Sequence, residues 1–323
     1  MKLGGKHRKC SNRRICPVNA QHYKLVYMNF LKVLGAMFFF YSCNAQPKQT
    51  RLKINADDNS LLWEVSGKGL KKSSYIFGTF HLMCRQDIQL SEQLKTAVGN
   101  SDLVYLEMDM DDPAIMLSGI LLMNMKNGKK LTDLYTEEEY QKVSSFFKDS
   151  LNMPIGLLQS TKPFFLAAML YPKMMPCKTV SGVEEELMKL AKQYKKEIKG
   201  LETMEFQAAV FDSIPYEEQA KELLKSIDSL DAYQKYFDNM INVYKTQKLG
   251  EIEKLFKNTD FGMEQHQEIL LNDRNRNWVN QLKTILKTES VFVGVGAGHL
   301  VGNEGLITLL RKEGYTLKPL LNK

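Results

Sequence analysis

Tyr75-Ile76-Phe77-Gly78-Thr79-Phe80-His81 and Val291-Phe292-Val293-Gly294-Val295-Gly296-Ala297-Gly298-His299 are the two stretches that decide the fold. Each is a short apolar run that reads as a buried strand, followed by glycine, two residues and histidine. A glycine at a strand end lets the backbone turn sharply, so the histidine three residues on is presented at a sheet edge, where open α/β folds place their sites. The chain has five histidines, and two delivered in the same way can share one site. A pair of imidazoles needs only a carboxylate to make a divalent-metal site with an open position for water. Taken singly, each histidine reads as an ordinary hydrogen-bonded residue, because G-x-x-H is a short pattern.

Outward from these stretches, Leu61 to Val65 and Ser74 to Phe77 flank Gly67-Lys68-Gly69 and read as a hairpin leading to His81. Leu90 to Val98 reads as a helix and Leu103 to Glu107 as the next strand. From Pro113 to Pro176 the pattern is helical, with Thr136 and Glu139 spaced as a capping box. Short strands are expected at Thr179 to Val183 and Glu197 to Leu201, around a helix from Glu184 to Tyr194. Glu202 to about Asn258 and Phe261 to Leu286 are helical. After His299 come a helix from Gly305 to Arg311, a stop at Gly314 and a last strand at Tyr315 to Leu317. The fold class is therefore α/β, a mixed sheet core built from the N- and C-terminal parts with a mostly helical insertion at about 113–260.

Glu107 is the carboxylate to set beside the histidines, since it ends an apolar strand and leads into the acidic run Asp109, Asp111, Asp112. It can ligate a cation or act as a base toward water. Glu202 stands between a strand and a helix, where it caps the helix or faces the site. Arg274 lies on an expected helix and can bind a carboxylate or an oxyanion through its forked donors, or form a surface ion pair.

The net charge of +7 suggests an anionic partner until its distribution is read. Residues 1–42 hold eight basic residues and no acidic one, leaving 36 basic against 37 acidic in the remainder, which argues against a nucleic-acid partner. Met28 to Lys32, the apolar run Val33 to Tyr41 and the exit Ser42-Cys43-Asn44-Ala45 have the pattern of a secretory signal, with Met28 a plausible true start. The small residue before Cys43 resembles a lipobox, which would make Cys43 the lipid-bearing mature N-terminus; cleavage after Ala45 is the alternative. Residues 1–42 are thus read as a signal region, 43–59 as a tether and 60–323 as the folded domain. Of the five cysteines, Cys84 and Cys177 remain for the exported domain, as a disulfide or as two buried thiols.

The chain resembles the TraB/GumN family, which includes the pheromone-shutdown and Tiki proteins. Leu62-Trp63, Tyr75 to His81, Tyr105-Leu106-Glu107, Lys162-Pro163, Gly200-Leu201-Glu202-Thr203 with Gln207, Arg274-Asn275, and Gly296 to Leu300 with Gly302 and Gly305 carry the resemblance in family order. It implies a fold related to the erythromycin-esterase and ChaN-like group and a divalent-metal-dependent peptidase activity. By the resemblance His81 and His299 match the motif histidines, Glu107 the acidic residue after the second core strand and Arg274 the arginine of the late helix. His81, His299 and Glu107 are the expected metal ligands, Glu107, Arg274 and Glu202 the catalytic candidates, and this donor set accepts manganese, cobalt or zinc without selecting one. The family often has aspartate where this chain has Glu184, and Glu184 is not expected as a ligand. The expectation is an exported, lipid-anchored hydrolase of a peptide or protein, facing the periplasm or the cell surface. The alternative is a lipoprotein that sequesters a peptide signal or haem without turnover.

Overall fold

The computed structural model describes residues 59–110, 119, 121–257 and 266–323. The apolar runs become strands β1 (Leu62–Ser66), β2 (Ser74–Thr79), β3 (Met83–Cys84), β4 (Leu103–Met108), β5 (Val180–Ser181), β6 (Ile198–Glu202), β7 (Val291–Gly296) and β8 (Thr316–Pro319). Six of them form one mixed sheet in the order β6-β4-β7-β2-β1-β8, and β3 pairs with β5 apart from it. The neighbours β6, β4, β7 and β2 run parallel, whereas β1 is antiparallel to β2 and β8. Val291, Phe292 and Val293 are all buried, as expected of a central parallel strand covered on both faces. The expected β1–β2 hairpin turns through Gly67, Lys68 and Gly69, all at positive φ.

Register decides where the chemistry goes. Thr79 lies opposite Gly296, Leu106 opposite Gly294 and Met108 opposite Glu202. The carboxyl ends of β2, β7, β4 and β6 therefore form one edge, and the residues that follow them share it. Gly78 does not make the turn expected of it. It lies within β2, and a Cβ there would stand 2.7 Å from Leu300 Cδ1 and 3.1 Å from Ala297 Cα, so glycine admits the turn Ala297–Leu300 that carries His299.

The helical part is built in two visits. The first holds helices Glu137–Leu151, Pro163–Ala168 and Tyr171–Met174, with the expected Thr136/Glu139 capping box closed by bonds in both directions. The chain then returns to the sheet through β5, helix Val183–Gln193 and β6. The second visit runs through helices Met204–Asp212, Tyr216–Asp228, Leu230–Thr246 and Leu249–Lys257. Met125, Leu131, Phe147 and Leu166 from the first and Leu223 and Tyr233 from the second share a core separate from that of the sheet. Lys162, fully buried, ties the visits together: its Nζ donates to Leu122 O, Ala208 O and the Asp212 carboxylate at 2.9 to 3.1 Å.

Cys84 and Cys177 are bonded, with Cα atoms 5.8 Å apart, beside the β3–β5 ladder. The signal region, Cys43 and nearly all of the tether lie outside the described residues, as do Pro113 and Phe261 at two expected helix starts. Among the described residues no helix is long and apolar enough to cross a membrane.

Candidate functional site

His81 follows β2, Glu107 is the penultimate residue of β4, Glu202 ends β6 and His299 sits in the turn after β7. Arg274 reaches them from the first turn of helix Asp273–Ile285, directly after a π-helical turn at Glu268–Asn272. Such turns recur where a helix must aim a side chain at a site. The structure thus brings together all five residues that the sequence singles out.

Arg274 is the hub. Its Nε donates to both Glu202 oxygens at 3.0 and 3.1 Å, and Nη2 to Glu107 Oε2 at 2.6 Å and Glu202 Oε2 at 2.9 Å. Nη1 donates to Leu270 O at 3.0 Å and to His299 Nε2 at 3.2 Å. Every N–H of the guanidinium is engaged by the protein's own acceptors. The guanidinium also lies 4.8 Å over the ring of Trp278, one turn along its helix, and that indole packs 4.4 Å from the His299 ring. Burial opposes the charge on Arg274, but Glu107 and Glu202 more than offset this and its pKa is raised.

Glu107 accepts from Gly296 N at 2.8 Å as well as from Arg274. Burial works against its ionisation, yet His299, Arg274, His81 and the Gly296 N–H together bring its carboxyl down to about 2. Glu202 does not cap the following helix. That position belongs to Thr203, whose hydroxyl accepts from Phe206 N, while Glu202 turns inward to Arg274 and accepts from Gln207 Nε2.

The two histidines are held alike but in different surroundings. His299 is buried, and burial holds it neutral by lowering its pKa to about 3. Its Nδ1 is 2.7 Å from Asn275 Oδ1, and its Nε2 is 3.9 Å from Glu107 Oε1. The His81 side chain is 72 % exposed, and its Nδ1 lies 2.7 Å from Glu184 Oε1. Desolvation would lower the His81 pKa, but the Glu184 carboxylate raises it to about 9. Glu184 also accepts from Thr79 Oγ1 at 2.5 Å, so it binds the end of β2 to helix Val183–Gln193. Sequence reasoning sets Glu184 aside as a departure from the family and gives Asn275 no role. The signals available are the position of Glu184 in the first turn of a helix after a strand, and the place of Asn275 beside Arg274 in the pair that carries the family resemblance.

Gly296 keeps the space among these groups clear. A Cβ there would lie 3.3 Å from Glu107 Oε1, 3.6 Å from His81 Nε2 and 3.7 Å from His299 Cδ2. The donor types around this cradle, two imidazole Nε2 atoms and a carboxylate, fit a divalent cation. The charge fits too: Glu107, Glu184 and Glu202 face one guanidinium and the protonated His81, an anionic excess of one that becomes two when a cation displaces the His81 proton. As arranged, no three His, Cys, Asp or Glu residues form a ready coordination group among the described residues. In this arrangement Arg274 engages the His299 lone pair and Glu107.

The family model for TraB/PrgY/gumN matches residues 61–319. The chain is also similar to metalloprotease TIKI2 of Danio rerio, 22% identical over 319 residues, an alignment covering 81% of this chain and 61% of that protein. The chain thus spans under two thirds of the length of that relative. No solved structure matches, and the expected kinship with erythromycin-esterase and ChaN-like folds draws no support from that comparison.

Proposed function

Because the chain belongs to the TraB/PrgY/gumN family, we propose that it is a divalent-metal-dependent hydrolase of a peptide or protein, exported and anchored by a lipid on Cys43. The observation that carries this reading is the paired presentation of the histidines. Nδ1 of His81 is held by Glu184 and Nδ1 of His299 by Asn275, while both rings approach the Gly296 cradle beside Glu107. The name of the Danio rerio relative supports metal-dependent cleavage of a protein. His81, Glu107 and His299 would hold the cation, which supplies Lewis acidity for attack of water on an acyl carbon. Glu107, with its carboxyl at about 2, is too weak a base to take a proton near neutrality and serves as the anionic ligand. Arg274 and Glu202 fix Glu107 in place. His81, the exposed member of the set, is where a substrate meets the site.

Manganese, cobalt and zinc all accept this donor set. Elemental analysis of the purified protein, with cleavage of a peptide library by the parent, His81→Ala and His299→Ala, tests the reading. Cleavage indifferent to chelators and to both substitutions refutes it, and peptide affinity without cleavage replaces it with sequestration. Export draws support from the leader pattern and from the Cys84–Cys177 disulfide, which suits an oxidising compartment. Cys43→Ser should release the protein from membranes, whereas an unlipidated mature chain beginning at Gln46 would remove the anchor.

A further inference from the structure

We infer that Asn275 is a positioning residue that fixes His299 in the Nδ1–H tautomer and so reserves its Nε2 lone pair for the centre of the site. This deepens the function proposed above and rests on it for its purpose, though not for its geometry.

The Asn275 amide is 1 % exposed. Its Nδ2 donates to two backbone carbonyls, Glu304 O at 2.8 Å and His299 O at 3.3 Å. An inverted amide would turn its oxygen toward both carbonyl oxygens, so the orientation is set by the loop that follows His299. Oδ1 consequently points at His299 Nδ1, 2.7 Å away, and as an acceptor it requires a proton on that nitrogen. A neutral imidazole then carries its lone pair on Nε2, where the Arg274 Nη1 N–H is the donor, 3.2 Å away. Two consecutive residues of one helix thus hold both nitrogens of the same ring.

Without Asn275 a competitor is at hand. Glu107 Oε1 is 3.9 Å from Nε2 and is an anion, a stronger acceptor than an amide oxygen. With Nδ1–H left unpaired in a buried place, only the Arg274 Nη1 N–H still favours that tautomer, and the Nε2–H form, which faces Glu107 and blocks the atom a cation needs, becomes populated. The surroundings also explain why the partner is an amide. At exposed His81 the Nδ1 partner is a carboxylate, Glu184. At buried His299 a carboxylate would set a second anionic oxygen against the carbonyls of His299 and Glu304.

The experiment is nitrogen NMR of the full chain labelled with 15N-histidine, in chelator at neutral pH. Proton-bearing and lone-pair ring nitrogens resonate far apart, and only five histidines contribute, His299 being assigned by its loss in His299→Ala. The parent should show a single Nδ1–H form at His299, Asn275→Asp should keep the Nδ1 proton, and Asn275→Ala should populate the Nε2–H form. Affinity for Mn2+, by calorimetry, should fall about 10- to 100-fold in Asn275→Ala, as for other groups that orient a metal-binding histidine. An Nε2–H tautomer in the parent, loss of the Nδ1 proton in Asn275→Asp, or an unchanged tautomer in folded Asn275→Ala would each overturn the inference. If Asn275→Ala does not fold, the parent and Asn275→Asp spectra still decide. A parent with the Nδ1–H form and no affinity for Mn2+, Co2+ or Zn2+ would instead count against the proposed function alone.

Discussion

Replacing Arg274 by methionine isolates the electrostatics of the site from its packing. Methionine keeps an unbranched apolar side chain of similar length, so little cavity is created although the guanidinium over Trp278 is lost. What is lost is the guanidinium shared by the Glu202 side chain, 1 % exposed, and the Glu107 side chain, 12 % exposed. Removing one partner of a buried ion pair costs about 3–5 kcal/mol, because the other is left charged and unpaired. At about 2–4 °C per kcal/mol for a domain of this size, the midpoint of thermal unfolding should fall on the order of 6–20 °C. Circular dichroism melts in chelator measure it, and a cycle with Glu202→Gln assigns it. The double variant should recover at least about 1 kcal/mol relative to additivity, since the neutral amide that replaces the Glu202 carboxylate no longer needs a cation. A loss below about 1 kcal/mol in Arg274→Met, or strictly additive single effects, would refute the view that this arginine neutralises buried carboxylates.

Gly296→Ala should abolish cation binding and cleavage while shifting stability by no more than about 1 kcal/mol, because its Cβ enters the cradle but meets side-chain atoms at 3.3 Å or beyond; calorimetry and melts on the same sample decide. Replacing Cys84 and Cys177 by serine opens a loop of sequence separation 93 and should cost up to about 4–5 kcal/mol, read from urea midpoints. Unchanged midpoints would show that the bond constrains nothing. In chelator, stability should peak near neutrality. His299 at about 3 and Glu107 at about 2 lie below their ordinary values of 6.5 and 4.5, so their stabilisation is present above those values and is lost as pH falls. His81, raised to about 9, stabilises fully below 6.5 and loses this as pH rises through 9, by a small amount because the ring is exposed. A flat urea-midpoint profile on the acid side would contradict these assignments.

The strands are legible because their burial is written into the chain: Val291 to Val295 is apolar throughout, and only a two-sided strand needs that. The convergence of His81 and His299 follows from repetition of one short pattern at two strand ends. Partners are harder to read. Glu184 lies beside Glu185 and Glu186 in a run that reads as an ordinary acidic helix start, and only tertiary packing aims Glu184 at His81 while Glu185 turns to Ser181 and Lys189. Asn275 is likewise one amide among Asn272, Asn275 and Asn277. Local reasoning favours a cap over the site for Glu202, but the hydroxyl of Thr203 takes the cap. It misassigns Gly78 to a turn because a close backbone approach leaves no mark in one sequence.

The position of β7 sets the order in which the protein can be made. It fills the lane between β4 and β2, yet it is drawn from residues 291–296, near the end of the chain. Throughout most of synthesis β2 and β4 therefore present open hydrogen-bonding edges to an empty lane, the condition under which nascent sheets recruit foreign strands. Such distant pairing also makes closure slow. A chain stopped short of β7 has no continuous sheet, and its first histidine has no second to meet. A fragment released before β7 therefore lacks Gly296 and His299, and with them the cradle on which the proposed chemistry rests, whatever its helices have achieved.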